Sequence, residues 1–448
     1  MNQKRSITTF EEAVDYLYAV PRFTTKNTME DTRAFLQRLG CPDKNCNIIH
    51  VAGTNGKGSV CAYLRCILEE AGYKVAVFTS PHLVDIRERF YIEGEMVSKE
   101  AFLEAFWCVY EKLDWEALKE GKGYHPTFFE YLFFMAMLLF SQKKPDYCIL
   151  ETGLGGRLDA TNAVEKKSLC VITRIGLDHM EYLGDTPEKI AGEKAGIMQA
   201  KVPLVYLDTQ REVTEVFENR AATLGSLSYP VSRNEYAFLN FKNKNIDFSL
   251  HTRYYGCIRL TLHTIAKYQM ENASLAVRAL ETLDKGQTIT LAHIERGIGR
   301  CFWQGRMEEL LPDVYVDGAH NEDGIRAFLE TVLEDGVEEH DKGSRTLLFS
   351  VVEDKDYLHM IDRIVTSGLF SKIAIAPMQT QRAAKLTDIR ARFEQCMPDL
   401  AGERIRIEPY ETLTDAFQSL LKTKKDKERI YCAGSLYLVG EIKRICST

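Results

Sequence analysis

The segment from Val51 to Ser59 constrains the fold more than any other part of this chain. It reads Val-Ala-Gly-Thr-Asn-Gly-Lys-Gly-Ser and lies between the apolar run Ile48–Ala52 and an apolar-faced helix. Backbone N–H groups in such a loop bind phosphate oxygens, and Lys57 can reach the terminal phosphates. The usual G-x-x-x-x-G-K-[ST] spacing is altered, because Val51 replaces the first glycine and Gly58 follows the lysine. We therefore predict a nucleotide-binding loop, but not that of an ordinary switch GTPase or helicase.

Short apolar runs alternate with helical segments over most of the chain. After the run Ile48–Ala52, strands are predicted at 74–79, 147–150 and 169–172. This alternation predicts a mostly parallel sheet with helices on both faces. The segment 236–262 differs, since apolar and polar residues alternate there around Asn243-Lys244-Asn245, which predicts a small antiparallel sheet.

Strand signals restart in the last third of the chain. They lie at Val314–Val316, Leu347–Phe349, Ile373–Ile375 and Ile430–Cys432. A chain of 448 residues has room for two or three domains at roughly 150 residues each. We predict an α/β protein with a P-loop ATPase-like domain over 1–303, containing a mostly parallel and a small antiparallel sheet. A linker over 304–312 and a smaller Rossmann-like α/β domain over 313–448 follow.

Composition argues against several classes of partner. The chain has 57 Lys and Arg against 64 Asp and Glu, a net charge of −7, which gives no basic field for nucleic acid. The longest apolar run, Tyr131–Phe140, is about half of the ~20 residues that a membrane span needs, so a buried helix is predicted instead. Twelve scattered cysteines and a polar start, Met1–Thr9, are typical of reduced thiols in the cytoplasm.

Polar side chains follow the predicted strands of both domains. Glu151 follows the strand at 147–150, and Asp317 follows Val314–Val316. Ligands of open α/β sheets bind at the carboxyl ends of strands, so these groups predict a cleft between two domains, and a carboxylate there can hold Mg²⁺. His179 and Lys194 are ambiguous, because a lone histidine is more often structural and a helical lysine is most often exposed.

With these residues identified, the chain resembles the folylpolyglutamate synthase and dihydrofolate synthase branch of the Mur ligase family. The matching segments keep their order through nearly the whole chain. They are Gly53–Ser59, Ser80–Leu83, Arg87–Arg89, Thr127–Glu130, Glu151–Asn162, Leu177–His179, Leu183-Gly184, Glu193–Ile197, Gln269, Asn272-Ala273, Trp303, Gly305-Arg306, Asp317–Asn321 and Gly434–Tyr437. Two positions depart from the family pattern: Gln304 replaces a common proline, and Thr28–Asp31 replaces the commoner Gly-Leu-Glu-Arg.

The resemblance implies a role for each matched residue. ATP would be bound by Thr54, Asn55, Gly56, Lys57, Gly58, Ser59, Asn272, Arg306 and Asp317. The pterin or folate substrate would contact Ser80, His82, Thr127, Phe129, Glu130, Leu158, Asp159 and Ala160. Catalysis would depend on Lys57, Glu151, His179 and Lys194. Two Mg²⁺ ions would be held by Ser80, Glu151, His179 and, if it is carboxylated, Lys194.

The activity that the resemblance implies is ATP-dependent amide formation. L-glutamate would be added to a folate, and in some members to dihydropteroate, through an acyl phosphate on a monomeric enzyme with small-molecule substrates. Three alternatives stay open: a cell-wall Mur ligase acting on a UDP-sugar peptide, a P-loop nucleotide switch that makes no product, and a nicotinamide oxidoreductase. The last depends on the glycine cluster Gly153–Gly156 alone.

Overall fold

The large sheet of the first domain has eight strands, which the buried apolar runs form. The computed structural model describes residues 7–21, 27–285, 287–335, 344–396 and 405–447. The strands are β1 Ile48–Ala52, β2 Val75–Phe78, β3 Phe90–Ile92, β4 Glu95–Met96, β5 Tyr147–Glu151, β6 Leu169–Ile172, β7 Leu204–Asp208 and β8 Ser228–Ser232. Their order is β4-β3-β2-β5-β1-β6-β7-β8. The strands are parallel except for β3 and β4, so the predicted mostly parallel sheet is confirmed.

Helices cover both faces of this sheet. They are α1 Phe10–Ala19, α2 Met29–Arg38, α3 Lys57–Glu70, α4 Lys99–Tyr110, α5 Trp115–Lys119, α6 Phe128–Lys143, α7 Met180–Leu183, α8 Pro187–Ala195, α9 Arg211–Leu224, α10 Tyr268–Asp284 and α11 Leu291–Arg300. Strand β1 shows the two-sided burial: Ile49 and Val51 join the core on the side of α3 and α10, whereas Ile48 joins the core around α6. No helix within the described ranges is long and apolar enough to cross a membrane.

A separate three-stranded antiparallel sheet lies where the alternating segment was predicted. Its strands are β9 Tyr236–Lys242, β10 Asn245–His251 and β11 Cys257–Leu262, in the order β11-β10-β9. Asn243 and Lys244 form the turn with φ of +51° and +60°, the left-handed conformation that two-residue hairpin turns require. Ile246, Phe248 and Leu250 pack into the core that contains α3 and α10.

The second domain is a six-stranded sheet with helices. Its strands are β12 Glu308–Leu311, β13 Val314–Val316, β14 Arg345–Phe349, β15 Lys372–Ile375, β16 Arg406–Pro409 and β17 Arg429–Ala433, in the order β12-β13-β17-β14-β15-β16. The helices are α12 Glu322–Glu334, α13 Tyr357–Ser367, α14 Leu386–Cys396, α15 Leu413–Thr423 and α16 Leu436–Ser447. All its strands are parallel to their neighbours except β12, which is antiparallel to β13.

Strand β12 corrects the predicted linker. The segment 304–312 was expected to be irregular, but residues 308–311 pair with β13 as the edge strand of the second sheet. The sequence Glu-Glu-Leu-Leu-Pro has no two-residue period, so it gives no local strand signal. The edge strand gains its stability from backbone pairing instead. The irregular connection therefore ends before Glu308, and Gly305, with φ of +66°, lies within it.

Candidate active site

The phosphate-type loop between β1 and α3 is held tightly by two neighbouring segments. Gly53 has φ of +149°, and a Cβ there would lie 1.8 Å from Thr173 Oγ1. Gly56 has φ of +90°, and a Cβ there would lie 2.3 Å from Asn272 Oδ1. Any other residue would be strained at both positions and would collide with these neighbours. The loop thus needs glycine for close packing against the segment after β6 and against α10.

Lys57 is the first residue of α3, and its ammonium lies over the loop. Its Nζ donates to the carbonyl oxygens of Gly53 at 3.0 Å and Thr54 at 3.2 Å. Thr54 Oγ1 in turn donates to Gly176 O at 3.0 Å, which joins the loop to the segment after β6. Ser59 Oγ accepts from Gln269 Nε2 at 3.2 Å. The predicted phosphate-loop residues are therefore together, with a cation at the helix N-terminus.

Lys194 points into the same loop. It lies on α8, which begins after the cap residue Thr186, yet the residue is only 4% exposed. Its Nζ donates to Gly53 O at 2.8 Å, so one carbonyl accepts from both Lys57 and Lys194. Burial, with a smaller effect of the Lys57 charge, lowers the pKa of Lys194 to about 7. The surface-lysine interpretation is therefore wrong.

Glu151 is the last residue of β5 and is 3% exposed. Its Oε2 accepts from the backbone N–H of Ser80 at 3.1 Å. Burial raises the pKa of Glu151, while the charge of Lys57, the bond from Ser80 and the charge of Arg306 oppose that rise. A buried carboxylate among cations is an electrostatic position that suits binding of a further cation.

His179 lies at the contact between the two domains. Its Nε2 accepts from Lys355 Nζ at 3.2 Å, and the same ammonium donates to Asp178 Oδ1 at 2.5 Å. Burial lowers the pKa of His179 to about 4, because it outweighs the opposing charge of Asp178. Burial would raise the pKa of Asp178, but the hydrogen bond and charge of His320, with Lys355, hold it below its usual range. His179 is thus a neutral imidazole that contacts the second domain.

The other predicted ATP-binding residues, Asn272, Arg306 and Asp317, lie near the contact between the domains. Asp317, at the end of β13, accepts from the backbone N–H of Met307 at 2.9 Å and from Tyr268 Oη at 2.7 Å. Burial raises its pKa, and the Arg306 charge opposes that rise. Asn272 Nδ2 donates to Gln269 Oε1 at 2.9 Å. A cavity of about 220 Å³ opens beside these residues, and its lining includes Tyr63, Gln269, Trp303 and Arg306.

Two of the predicted substrate residues make structural hydrogen bonds. Thr127 caps α6: its Oγ1 accepts from Glu130 N at 3.4 Å, and Glu130 Oε2 accepts from Thr127 N at 2.7 Å. Glu130 also accepts from Asn27 Nδ2 at 2.8 Å and from Thr32 Oγ1 at 3.0 Å. These bonds give Thr127 and Glu130 a role in fixing α6 against α2, and their contact with substrate stays a prediction.

The glycine-rich segment after β5 forms a shaped loop. Asp159 is buried and accepts from Leu154 N at 2.8 Å and Thr161 N at 3.0 Å, whereas Leu158 is 66% exposed. A Cβ on Gly153 would lie 2.7 Å from the Phe129 ring, so that ring packs directly on the loop. Leu158 is thus exposed on a loop whose shape Asp159 holds.

Two further predicted substrate residues lie near this loop or at the cleft wall. Ala160 is buried at the start of a short 3₁₀ turn over residues 160–163. His82 Nδ1 accepts from Arg89 Nε at 2.8 Å, and His82 Nε2 lies 3.0 Å from Tyr18 Oη. His82 is thus held between an arginine and a tyrosine.

Three residues of the candidate site had no role predicted from the sequence. They are Lys355, Tyr268 and Asn321. Lys355 lies in the run Glu-Asp-Lys-Asp, which reads as a solvated loop, and its position after strand β14 was the one available signal. Asn321 exchanges hydrogen bonds of 3.1 Å with Asn55 of the phosphate loop. These contacts depend on how the domains meet, which local sequence does not specify.

Comparison with known proteins identifies the family. The Mur ligase middle domain model matches residues 51–280, about half of the chain. The dihydrofolate synthase/folylpolyglutamate synthase of Bacillus subtilis is 35% identical over 451 residues, covering 98% of this chain and 99% of the relative. This chain belongs to the dihydrofolate synthase/folylpolyglutamate synthase family of Mur ligases. As a member of the family it is an ATP-dependent ligase.

Solved structures of this ligase family share the whole fold. E. coli FolC in complex with DHPP and ADP has a TM-score of 0.82 and 26% identity, with 98% of each chain covered. The folylpolyglutamate synthase of Thermotoga maritima has a TM-score of 0.81 and 27% identity, with 98% of this chain and 97% of that chain covered. The α/β fold of the ligase is therefore shared over both domains.

Proposed function

We propose that this ligase adds L-glutamate to a folate and to dihydropteroate, with hydrolysis of ATP. The proposal depends on one observation: three polar side chains from different elements lie together at one cleft. Lys57 and Lys194 donate to the same loop carbonyl, and Asn321 of the second domain contacts the loop at Asn55. A reaction that joins two substrates through a nucleotide needs such convergence, and the named relatives support the choice of substrates.

In this proposal ATP lies along the loop and between the domains. The triphosphate binds at Thr54, Asn55, Gly56, Lys57, Gly58 and Ser59, where the N-terminus of α3 and the Lys57 ammonium favour an anion. Asn272, Arg306 and Asp317 hold the rest of the nucleotide. The cavity of about 220 Å³ beside Trp303 and Arg306 supports this arrangement, because it offers an aromatic wall to the base.

The chemistry is phosphoryl transfer followed by amide formation. A carboxylate oxygen of the folate substrate attacks the γ-phosphorus in line, and ADP leaves while Lys57 offsets the negative charge. The amine of glutamate then attacks the acyl phosphate, the C–O bond to phosphate breaks, and inorganic phosphate leaves. Water would hydrolyse the acyl phosphate, so domain contact at Asp178 and Lys355 serves to exclude it.

The donor set at Glu151 fits Mg²⁺ chemically. Mg²⁺ prefers oxygen ligands and binds proteins through one or two carboxylates, and Glu151 is a buried carboxylate beside Ser80. We propose that Ser80, Glu151 and His179 hold one ion. Lys194, as a carbamate, would supply an anionic oxygen for a second. When bound, Mg²⁺ neutralises charge on the phosphates.

The remaining proposals concern substrate contacts, assembly and compartment. The exposed Leu158, with Phe129 and Ala160 beside it, is proposed to contact the pterin, and Ser80, His82, Thr127, Glu130 and Asp159 complete that surface. We propose that the chain is a monomer and that it is located in the cytoplasm. The twelve free thiols support that compartment.

Product analysis tests the reaction. Phosphate release should require both a folate and glutamate, and mass spectrometry should show a folate one glutamate longer. Phosphate release that does not depend on glutamate would indicate a nucleotide switch, and release that requires a UDP-sugar peptide would indicate a cell-wall ligase. Lys57→Ala should lose activity by roughly a hundredfold or more at saturating ATP, with unchanged circular dichroism.

A further inference from the structure

Two thiols meet where the later turns of α3 pack against the end of α11. Cys66 lies on α3, the helix that begins with Lys57, and Cys301 directly follows α11. The two helices pack very closely, since a Cβ on Gly297 of α11 would lie 2.6 Å from Ile67 Cα. This close packing makes Cys66 and Cys301 neighbouring thiols, and each affects the pKa of the other.

The surroundings of Cys66 are cationic. Arg65 Nη2 lies 4.0 Å from Cys66 Sγ, and Arg300 Nη2 donates to the Cys66 backbone oxygen at 3.2 Å. Glu69 is the acidic neighbour, but it pairs with Arg300 at 3.0 Å. The hydrogen bond from Cys301 and the two guanidinium charges lower the pKa of Cys66 to about 7, against the effect of burial. At neutral pH much of Cys66 is therefore thiolate, the reactive form.

A small reagent can reach this thiol from solvent. A cavity of about 520 Å³ opens at the end of α3, and its lining includes Cys66 together with Arg65, Glu69 and Arg300. Cys301 lies on the other side, in the lining of the cavity that also contains Trp303. Each thiol of the pair thus lines a different cavity.

A second thiol pair provides an internal comparison. Cys46 and Cys148 are also neighbouring thiols, and both are buried. The contact with Cys148 lowers the pKa of Cys46, against burial and the Asp43 carboxylate, whereas the charges of Arg65 and Arg300 add to the lowering at Cys66. Proximity of two thiols is therefore common to both pairs, and the cationic setting and cavity are features of the Cys66 pair.

We propose that Cys66 and Cys301 are a redox-sensitive thiol pair that closes to a disulfide when the chain meets a peroxide. The Cys66 thiolate attacks one oxygen of hydrogen peroxide, the O–O bond breaks, hydroxide leaves, and Cys66 becomes a sulfenic acid. The Cys301 sulfur then attacks the Cys66 sulfur, and the S–O bond breaks. Water leaves with the Cys301 proton. The two thiols are oxidised by two electrons in total, and the peroxide is reduced to two waters.

The disulfide would join the phosphate-loop helix to the connection between the domains. Cys301 is two residues before Trp303, and a Cβ on Gly58 would lie 2.8 Å from the Trp303 indole. A bond between α3 and this connection restricts the movement of one domain against the other. We expect oxidation to slow the ligase reversibly, and this part of the inference rests on the proposed function.

The test uses the full chain, reduced and then treated with hydrogen peroxide. Free thiols are blocked with iodoacetamide, and the digest is analysed by mass spectrometry without reduction. We expect a peptide that links Cys66 to Cys301 and that disappears in Cys301→Ser. In the reduced chain, alkylation of Cys66 should reach half its maximal rate at pH about 7, below the pKa of about 8.5 of an ordinary thiol. Cys108→Ser, at an exposed position on α4, is the matched control and should leave the linked peptide unchanged.

Different results would disprove the thiol pair, its effect on the enzyme and the proposed function. If peroxide links Cys46 to Cys148, or oxidises Cys66 to a sulfinic acid without a linked peptide, the thiol-pair inference is wrong. If the linked peptide forms, ligation should fall about tenfold and recover with dithiothreitol. Ligation by Cys301→Ser should be insensitive to peroxide. Unchanged turnover of the linked chain would disprove the effect on the enzyme, whereas a reduced chain without ligase activity would disprove the proposed function and leave the linked peptide standing.

Discussion

Burial gives two lysines of this chain properties that an exposed lysine lacks. Lys194 meets the loop carbonyl of Gly53, and Lys167 donates to Asn162 Oδ1 at 2.5 Å and to Ile197 O at 2.6 Å. Burial is the main cause of both shifts and lowers the pKa to about 7 for Lys194 and about 8 for Lys167. An ordinary lysine, with pKa about 10.4, is ammonium at neutral pH. Only an amine with a lowered pKa has a neutral fraction that can react with CO₂ near pH 7.

We predict that Lys194→Ala loses most ligase activity, by roughly a hundredfold, because a charged group that meets the phosphate loop is removed. Acetate or formate should restore part of this activity, since a small carboxylate can replace the anion that a carbamate would supply. The measurement is turnover across an acetate titration, because occupancy depends on the acetate concentration relative to its dissociation constant. Lys189→Ala, an exposed lysine of the same helix, serves as control. Full activity of Lys194→Ala would return this lysine to a structural role.

A magnesium titration separates Glu151 from His179. Glu151→Gln removes a buried charge, so we expect the Mg²⁺ concentration for half-maximal activity to rise about tenfold or more. His179→Ala should raise it as well if His179 is a ligand. A change in turnover without a change in Mg²⁺ requirement would instead assign His179 to the contact with Lys355.

The pH dependence of stability offers a test of Lys167. Its pKa is about 8 in the folded chain and 10.5 in the unfolded one, so the unfolded chain binds more protons between these values. The free energy of unfolding should therefore gain a contribution that rises from pH 8 to 10.5 and is lost as pH falls through 8. In Lys167→Met this slope, measured by urea unfolding, should be smaller. The same slope in both chains would contradict the shifted pKa.

At the scale of elements, local sequence predicted most of the strand bounds and helix starts that depend on neighbouring residues alone. Strands β1, β6 and β13 have the predicted bounds, and α8 begins after Thr186 because its hydroxyl accepts from Lys189 N. Strand β12 was missed, because an edge strand without a two-residue period is stabilised by its partner. Helix α10 begins at Tyr268, after Ile265 and Ala266, which pack into the core of the second domain.

The candidate site was predictable residue by residue but not as a set of contacts. The glycines, Lys57 and the strand-end carboxylates have local signals. The Lys355 contact with Asp178 joins residues 177 positions apart, so no local pattern contains it. Burial of Lys194 has the same origin, because α8 must first pack against the phosphate loop.

The capping box of α6 yields a prediction at this scale. Glu130→Ala should lower the free energy of unfolding by about 1–3 kcal/mol, because Thr127 N, Asn27 and Thr32 lose a buried acceptor. Glu12→Ala removes the same motif from α1 at an exposed position and should lower the free energy of unfolding less than Glu130→Ala does. Both are measured by urea unfolding. A raised KM for folate with unchanged stability would instead show that Glu130 binds substrate.

At the scale of the whole molecule, ion pairs in different surroundings link the domains. Lys355 and Asp178 are both 9% exposed, whereas Lys244 of the small sheet and Glu309 of β12 are 47% and 31% exposed. Removing one partner of a buried pair leaves an uncompensated charge, while an exposed pair contributes little. The buried pair therefore dominates the ionic contact between the domains.

Lys355→Met should lower the free energy of unfolding by about 3–5 kcal/mol, and Lys244→Met by about 1 kcal/mol or less. The double variant Lys355→Met with Asp178→Asn should regain part of the loss, since both buried charges of the pair are then gone. Urea unfolding with one transition for both domains provides the values. Equal losses in Lys355→Met and Lys244→Met would contradict the importance of burial.

The outermost strands also determine whether such large sheets resist aggregation in a crowded cell. A free strand edge is a template on which another chain can add and aggregate. Strand β4 offers just two residues, Glu95 and Met96, and β8 at the opposite edge contains Pro230, which has no N–H to donate. The carbonyl of Pro230 is itself taken by Arg278 Nη1 at 3.2 Å. Replacing Pro230 would therefore expose an edge that invites sheet-to-sheet growth, even with every catalytic group intact.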